Sequence, residues 1–135
     1  MAVDLRHFAA AVTRLDEGVQ QYRADPTHAL VRDGLIQRFE FTYDLSTKTL
    51  RRALEAGSDI PNQVDKMTFP ELIRAANEQD LLLGSWPDWH GYRDMRNITS
   101  HTCDEAKALK VVDAIPAFLE EARALLMRLQ ERLRA

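Results

Sequence analysis

Ile36-Gln37-Arg38-Phe39-Glu40-Phe41-Thr42-Tyr43-Asp44-Leu45-Ser46-Thr47-Lys48-Thr49-Leu50-Arg51-Arg52-Ala53-Leu54 is the stretch on which the fold turns. Its Ile36, Phe39, Tyr43, Thr47, Leu50 and Leu54 recur at spacings of three and four, which gathers them on one stripe of an α-helix. Upstream, Asp25-Pro26 joins a capping side chain to a proline at a first helical position, so this second helix is expected to start there. Downstream it runs to Ala56, and Gly57-Ser58-Asp59-Ile60-Pro61-Asn62 reads as its stop and a loop.

The same period continues outward on both sides. Leu5, Phe8, Val12, Leu15, Val19 and Tyr22 place a first helix over Asp4 to Arg23. Thr68-Phe69-Pro70-Glu71 is a capping box that opens a short third helix to about Asp80, with Leu72, Ile73 and Ala76 facing inward. Leu81-Leu82-Leu83-Gly84 closes it. Ser85-Trp86-Pro87-Asp88 repeats the cap-and-proline pattern and opens a fourth helix that carries Trp89, Tyr92, Arg93 and Arg96 close together. Thr102-Cys103-Asp104-Glu105 reads as another capping box, so the last helix is expected to begin just after His101. Its stripe is Ala108, Val112, Ile115, Leu119, Ala122, Leu126, Leu129 and Leu133, and Pro116 within it should kink the helix or split it. No alternating strand pattern, internal repeat or long linker interrupts this order. The expected architecture is all-α, an antiparallel four- or five-helix bundle forming one domain over residues 1–135.

Composition agrees with a globular domain. The chain has 135 residues, 45% hydrophobic and 29% charged, enough for its own core. Met1-Ala2-Val3-Asp4-Leu5-Arg6 has no basic region followed by an apolar run, and no stretch reaches the length of a membrane span, so a cytoplasmic protein without membrane contact is expected. Cys103 is the single cysteine, and His7, His28 and His90 lack ligand spacing with any partner, so neither a metal nor another cofactor is expected. A formal net charge of −3 excludes a broad basic face for nucleic acid and confines any such contact to a local site. The positive charge is mostly arginine, the planar fork suited to phosphate or carboxylate.

The candidate site is Arg96-Asn97-Ile98-Thr99-Ser100-His101. On one unbroken helix these five steps span about 500° and leave Arg96 and His101 about 140° apart. A turn between the fourth and fifth helices would let the two side chains converge beside the N–H groups of a new helix. Arginine can stabilise charge on phosphorus, and imidazole exchanges protons near neutrality. The alternative is structural: Arg96 pairs with Asp88, Asp94 or Asp104 and His101 packs at the junction. Trp86, Trp89 and Tyr92 could stack on nucleobases or belong to a core or dimer interface. Lys48, Arg51 and Arg52 are either a solvated face or a phosphate path beside the Arg96 turn.

Trp89-His90-Gly91-Tyr92-Arg93-Asp94-Met95-Arg96-Asn97-Ile98-Thr99-Ser100-His101-Thr102, with Asp33-Gly34-Leu35-Ile36-Gln37-Arg38-Phe39-Glu40-Phe41-Thr42-Tyr43-Asp44-Leu45 upstream, resembles the HEPN superfamily. It is most similar to the branch of nucleotidyltransferase substrate-binding proteins and HepT-like toxins, over nearly the whole chain. The resemblance implies a homodimer whose Arg-Asn-x-x-x-His turns form a composite cleft, and a minimal nucleotidyltransferase as partner, acting as antitoxin or as catalytic subunit. It implies a metal-independent ribonuclease in which Arg96 and His101 are catalytic and Asn97 and Thr102 support the turn. Arg93, Lys48, Trp89 and Tyr92 are then candidates for binding RNA. Where the toxin pattern has a tyrosine that the partner adenylylates, this chain has Cys103. Where the substrate-binding branch has tryptophan before the lysine of helix two, it has Thr47. The other expectations are a non-catalytic substrate- or nucleotide-binding subunit of a nucleotidyltransferase, and a dimerisation bundle in which Arg96 and His101 only pack.

Overall fold

The stripe read from the sequence is the face that the core takes: Ile36, Phe39, Tyr43, Leu50 and Leu54 are all buried. The computed structural model describes residues 3–134, which form α1 (Arg6–Ala24), α2 (Ala29–Ala56), α3 (Pro61–Asp65), α4 (Phe69–Glu78), α5 (Trp86–Ile98), a 3-10 turn (Thr99–His101) and α6 (Glu105–Arg134). No strand occurs among the described residues, and none of their helices is long and apolar enough to cross a membrane.

Helix α2 lies at the centre, packed against α1, α3, α4, α5 and α6, while α6 closes against α1 and α5. To serve so many neighbours, α2 buries more than its apolar stripe: Thr42 and Ser46 are buried too. Their hydroxyls donate to carbonyls within the helix, Thr42 to Arg38 and Ser46 to Tyr43 at 2.7 Å, so no polar hydrogen is stranded. Around this axis Phe8, Leu15, Phe39, Trp89, Phe118 and Leu125 are almost wholly enclosed. Phe118 on α6 receives the edges of Phe39 and Tyr92, with ring centroids 5.2 and 5.3 Å away.

Several boundaries differ from the expectation, each for a local reason. Helix α2 begins after His28, not at Asp25-Pro26: His28 Nδ1 accepts from the Val31 N–H at 3.2 Å and caps the helix, while Asp25 accepts from the Thr27 hydroxyl at 2.8 Å. Pro61, taken as part of a loop, opens the one-turn α3 at a first helical position. Helix α4 ends in a Schellman arrangement: Asp80 adopts φ 57°, the Leu81 N–H reaches Ala76 O at 3.1 Å, and the Asp80 N–H reaches Asn77 O at 3.1 Å. Helix α6 begins at Glu105 and is capped by Asp104, whose Oδ1 accepts from the N–H groups of Ala106 (2.9 Å) and Lys107 (3.3 Å). Thr102 is therefore not the cap. Pro116 does not split α6, which runs as one helix through it.

Candidate active site at the junction of α5 and α6

Helix α5 is seated by its own start. The Ser85 N–H donates to the Asp88 carboxylate at 3.1 Å, Pro87 occupies the first turn, and Trp89 is driven wholly into the core. With Trp89 inward, Arg93 and Arg96 fall on the flank that faces α2. The helix then stops because Thr99 turns its hydroxyl back: Oγ1 donates to Arg96 O at 2.7 Å, and the chain tightens into the 3-10 turn.

Arg96 does not point into open space. Its Nε and Nη2 donate to Asp44 Oδ1 and Oδ2, both at 3.0 Å, in a two-point pair across to α2. Its Nη1 donates to Thr99 Oγ1 at 3.1 Å and lies 3.4 Å from Glu40 Oε2. The hydrogen bonds to Asp44, reinforced by the charges of Asp44 and Glu40, hold the guanidinium pKa above its ordinary value. Asp44 is thus the acid that holds Arg96, in place of the expected Asp88, Asp94 or Asp104. Acids four apart on α2, Glu40 and Asp44, were visible as a pair on one helix face, but nothing local ties them to a residue so far along the chain.

His101 closes the 3-10 turn and is exposed, as are Asn97 and Cys103. Among the described residues the His101 side chain forms neither a hydrogen bond nor an ion pair with Arg96, which is committed to α2. Thr102 donates to Thr99 O at 3.0 Å and so stabilises the turn without capping α6. Thr99 itself is buried and touches Arg96 twice, a role the sequence reading missed.

The candidates for substrate contact separate. Trp89 is 0% exposed and cannot stack on a base, so that expectation is corrected: the indole belongs to the core. Tyr92 packs edge-on against Trp89 at 5.5 Å and against Phe118. Arg93 and Lys48 meet instead, on the wall of one cavity between α2, α4 and α5. No group of three or more His, Cys, Asp or Glu among the described residues is placed to hold a metal ion.

The family described as "Nucleotidyltransferase substrate binding protein like" matches residues 3–131. A Haemophilus influenzae protein named "Probable ribonuclease HepT" is 41% identical over 99 residues, which are 73% of this chain and 67% of that one. A solved structure from the same organism, described as the fold of a substrate binding domain of a nucleotidyltransferase, superposes with a TM-score of 0.86 at 35% identity, covering 94% of this chain and 99% of that one.

Proposed function

The chain belongs to the nucleotidyltransferase substrate-binding-like family, and from that membership we propose that it is a metal-independent ribonuclease of HepT type, the toxin of a pair with a minimal nucleotidyltransferase. The observation that carries this reading is the junction itself: a half-buried arginine held rigidly by Asp44 and Thr99, followed by an exposed histidine on the 3-10 turn. The substrate supplies the nucleophile. The RNA 2′-oxygen attacks the adjacent phosphorus as its proton leaves to a base. The bond from phosphorus to the 5′-oxygen breaks, and that oxygen takes a proton, leaving a 2′,3′-cyclic phosphate and a 5′-hydroxyl. His101 is the proton carrier, and Arg96 steadies the charge that grows on the phosphoryl oxygens.

A second copy would bring a second Arg96 and His101 to the same cleft, so a homodimer in the cytoplasm is part of the proposal. Cys103 offers no phenol to accept an adenylyl group, so the partner would neutralise this protein either by docking or by modifying another residue.

Induced expression in a bacterium, wild type beside His101→Ala, tests this directly through growth and through new RNA ends bearing 2′,3′-cyclic phosphate. Toxicity and cleavage that vanish in the variant and persist in EDTA are expected. Cleavage that stops in EDTA defeats the mechanism.

The engagement of Arg96 by two carboxylates favours one competing reading, a subunit without chemistry of its own that presents substrate to the nucleotidyltransferase. Harmless expression together with tight co-purification with that partner would select it.

A further inference from the structure

Two arginines one turn apart on α5 are held by different means. Arg96 is held by carboxylates, which engage its donors and offset its charge. Arg93 is held by aromatic rings: its guanidinium carbon lies 5.1 Å from the ring centroid of Trp86 and 5.6 Å from that of Phe69. Stacking fixes the plane of a guanidinium while leaving its N–H donors and its charge available.

Arg93 also lines a cavity of about 240 Å³ between α2, α4 and α5, and Lys48, Arg51 and Tyr43 share that wall. Among the described residues no acidic side chain lines this cavity, and none of Lys48, Arg51 and Arg93 enters an ion pair. Arg51 is oriented by a neutral group, donating to Val64 O at 2.8 Å, and so keeps its charge. Of the acids on α2 near this wall, Asp44 is bound to Arg96, and Glu55, which feels the charge of Arg51, forms no ion pair with it. Three cations outside any ion pair on one concavity that no acid lines, in a chain of net charge −3, are a local field built against the trend of the molecule. They repel one another until an anion joins them. Burial pushes the Tyr43 phenol up to about 12, so near neutrality it keeps its proton and can donate.

We propose that this cavity is a phosphate site, with Lys48, Arg51 and Arg93 supplying charge and the Tyr43 hydroxyl a fourth donor. A phosphate ester has the several anionic and accepting oxygens that such a donor set can satisfy, whereas a single carboxylate has two. The source is an RNA strand, an assignment that rests on the ribonuclease reading. Tyr43 and Asp44 are successive on α2, and Arg93 precedes Arg96 by three residues, about 4.5 Å of helix rise. A strand with its scissile phosphate at Arg96 and His101 would set a neighbouring phosphate in the cavity.

The test measures binding of a fluorescent, mixed-sequence single-stranded oligoribonucleotide to the full chain carrying His101→Ala, by anisotropy across a range of salt. Lys48→Glu and the pair Lys48→Gln with Arg93→Gln are compared in that background, with Arg23→Gln on α1 as the control. Lys48 is exposed, so reversing its charge leaves the core intact. Lys48→Glu should weaken binding about tenfold, and the slope of log affinity against log salt should fall by about 0.7 for a lost phosphate contact. Arg23→Gln should change neither. Affinity and slope unchanged by both cavity variants overturn the site, even if cleavage by the parent protein still depends on His101. Weakened binding beside cleavage that ignores His101 keeps the site and defeats the ribonuclease reading. A second arm titrates AMP: Lys48-dependent uptake of AMP without oligoribonucleotide binding keeps the phosphate site and names a free nucleotide as its source.

Discussion

At the scale of single residues, Arg96 is the point where charge and position conflict. Its guanidinium must stay free enough to meet a phosphoryl oxygen, yet Asp44 takes two of its five N–H donors and Thr99 a third. What remains is a rigid edge of known direction, and rigidity is what a transition state rewards. Arg96→Ala should therefore lower RNA cleavage by about 10²- to 10³-fold, and Arg96→Lys should not restore it, because an ammonium cannot span both Asp44 oxygens. Asp44→Asn keeps the arginine charge and loosens its aim, so a loss of about tenfold in single-turnover rate is expected; full activity would remove Asp44 from the site. The tyrosines give a second check at this scale. Burial, with Asp44 adding to it, raises the Tyr43 phenol to about 12, and burial, with Glu121 and Asp88, does the same for Tyr92. Both lie above the unfolded value of 10.0, so the native state holds these protons more tightly. Their contribution to stability is complete below pH 10 and is lost as pH rises towards 12. In a Tyr22→Phe background, phenolate absorbance should show both ionising well above pH 10, and titration near pH 10 with the fold intact would contradict this burial.

At the scale of elements, the position of α5 depends on a tie that no helical pattern encodes. Glu121, on α6 and 2% exposed, accepts from the Leu83 N–H at 2.7 Å and the Gly84 N–H at 2.8 Å, fastening the link between α4 and α5 to the long helix. A charged acceptor takes up two backbone donors that the loop could not satisfy within itself. Glu121→Ala strands both and should cost about 3 kcal/mol in urea unfolding. Gly84 is confined by the same carboxylate: a Cβ there would lie 2.7 Å from Asp88 Oδ2 and 2.8 Å from Glu121 Oε1. Gly84→Ala should therefore destabilise by about 1–3 kcal/mol. Stability equal to wild type in either variant would show that the tie is dispensable. The helix-forming segments were legible because apolar spacing belongs to each segment alone. Their ends were less so, because several residues near each end can cap: His28 rather than Asp25, and Asp104 rather than Thr102, took the orphan N–H groups.

At the scale of the whole molecule, Trp89 joins the parts. It is 0% exposed, its ring lies 6.4 Å from Tyr43 on α2, 6.4 Å from Phe69 on α4 and 6.1 Å from Phe118 on α6, and its Nε1 is buried without a partner. Trp89→Ala should cost about 3–5 kcal/mol by loss of packing, and Trp89→Phe much less, since it also removes the unpartnered donor. A thermal melt followed by circular dichroism separates the two, and equal losses would argue against a packing role. The sequence by itself determined that this protein is a helical bundle with a candidate site at Arg96 and His101, because helical period, capping and short spacing are properties of neighbouring residues. Only the tertiary structure decided what Arg96 touches, that Trp89 is core, and that Lys48, Arg51 and Arg93 converge. Those facts join α2 to α4 and α5 across long stretches of chain, and such partners are chosen by how whole helices pack, for which no residue carries a local mark.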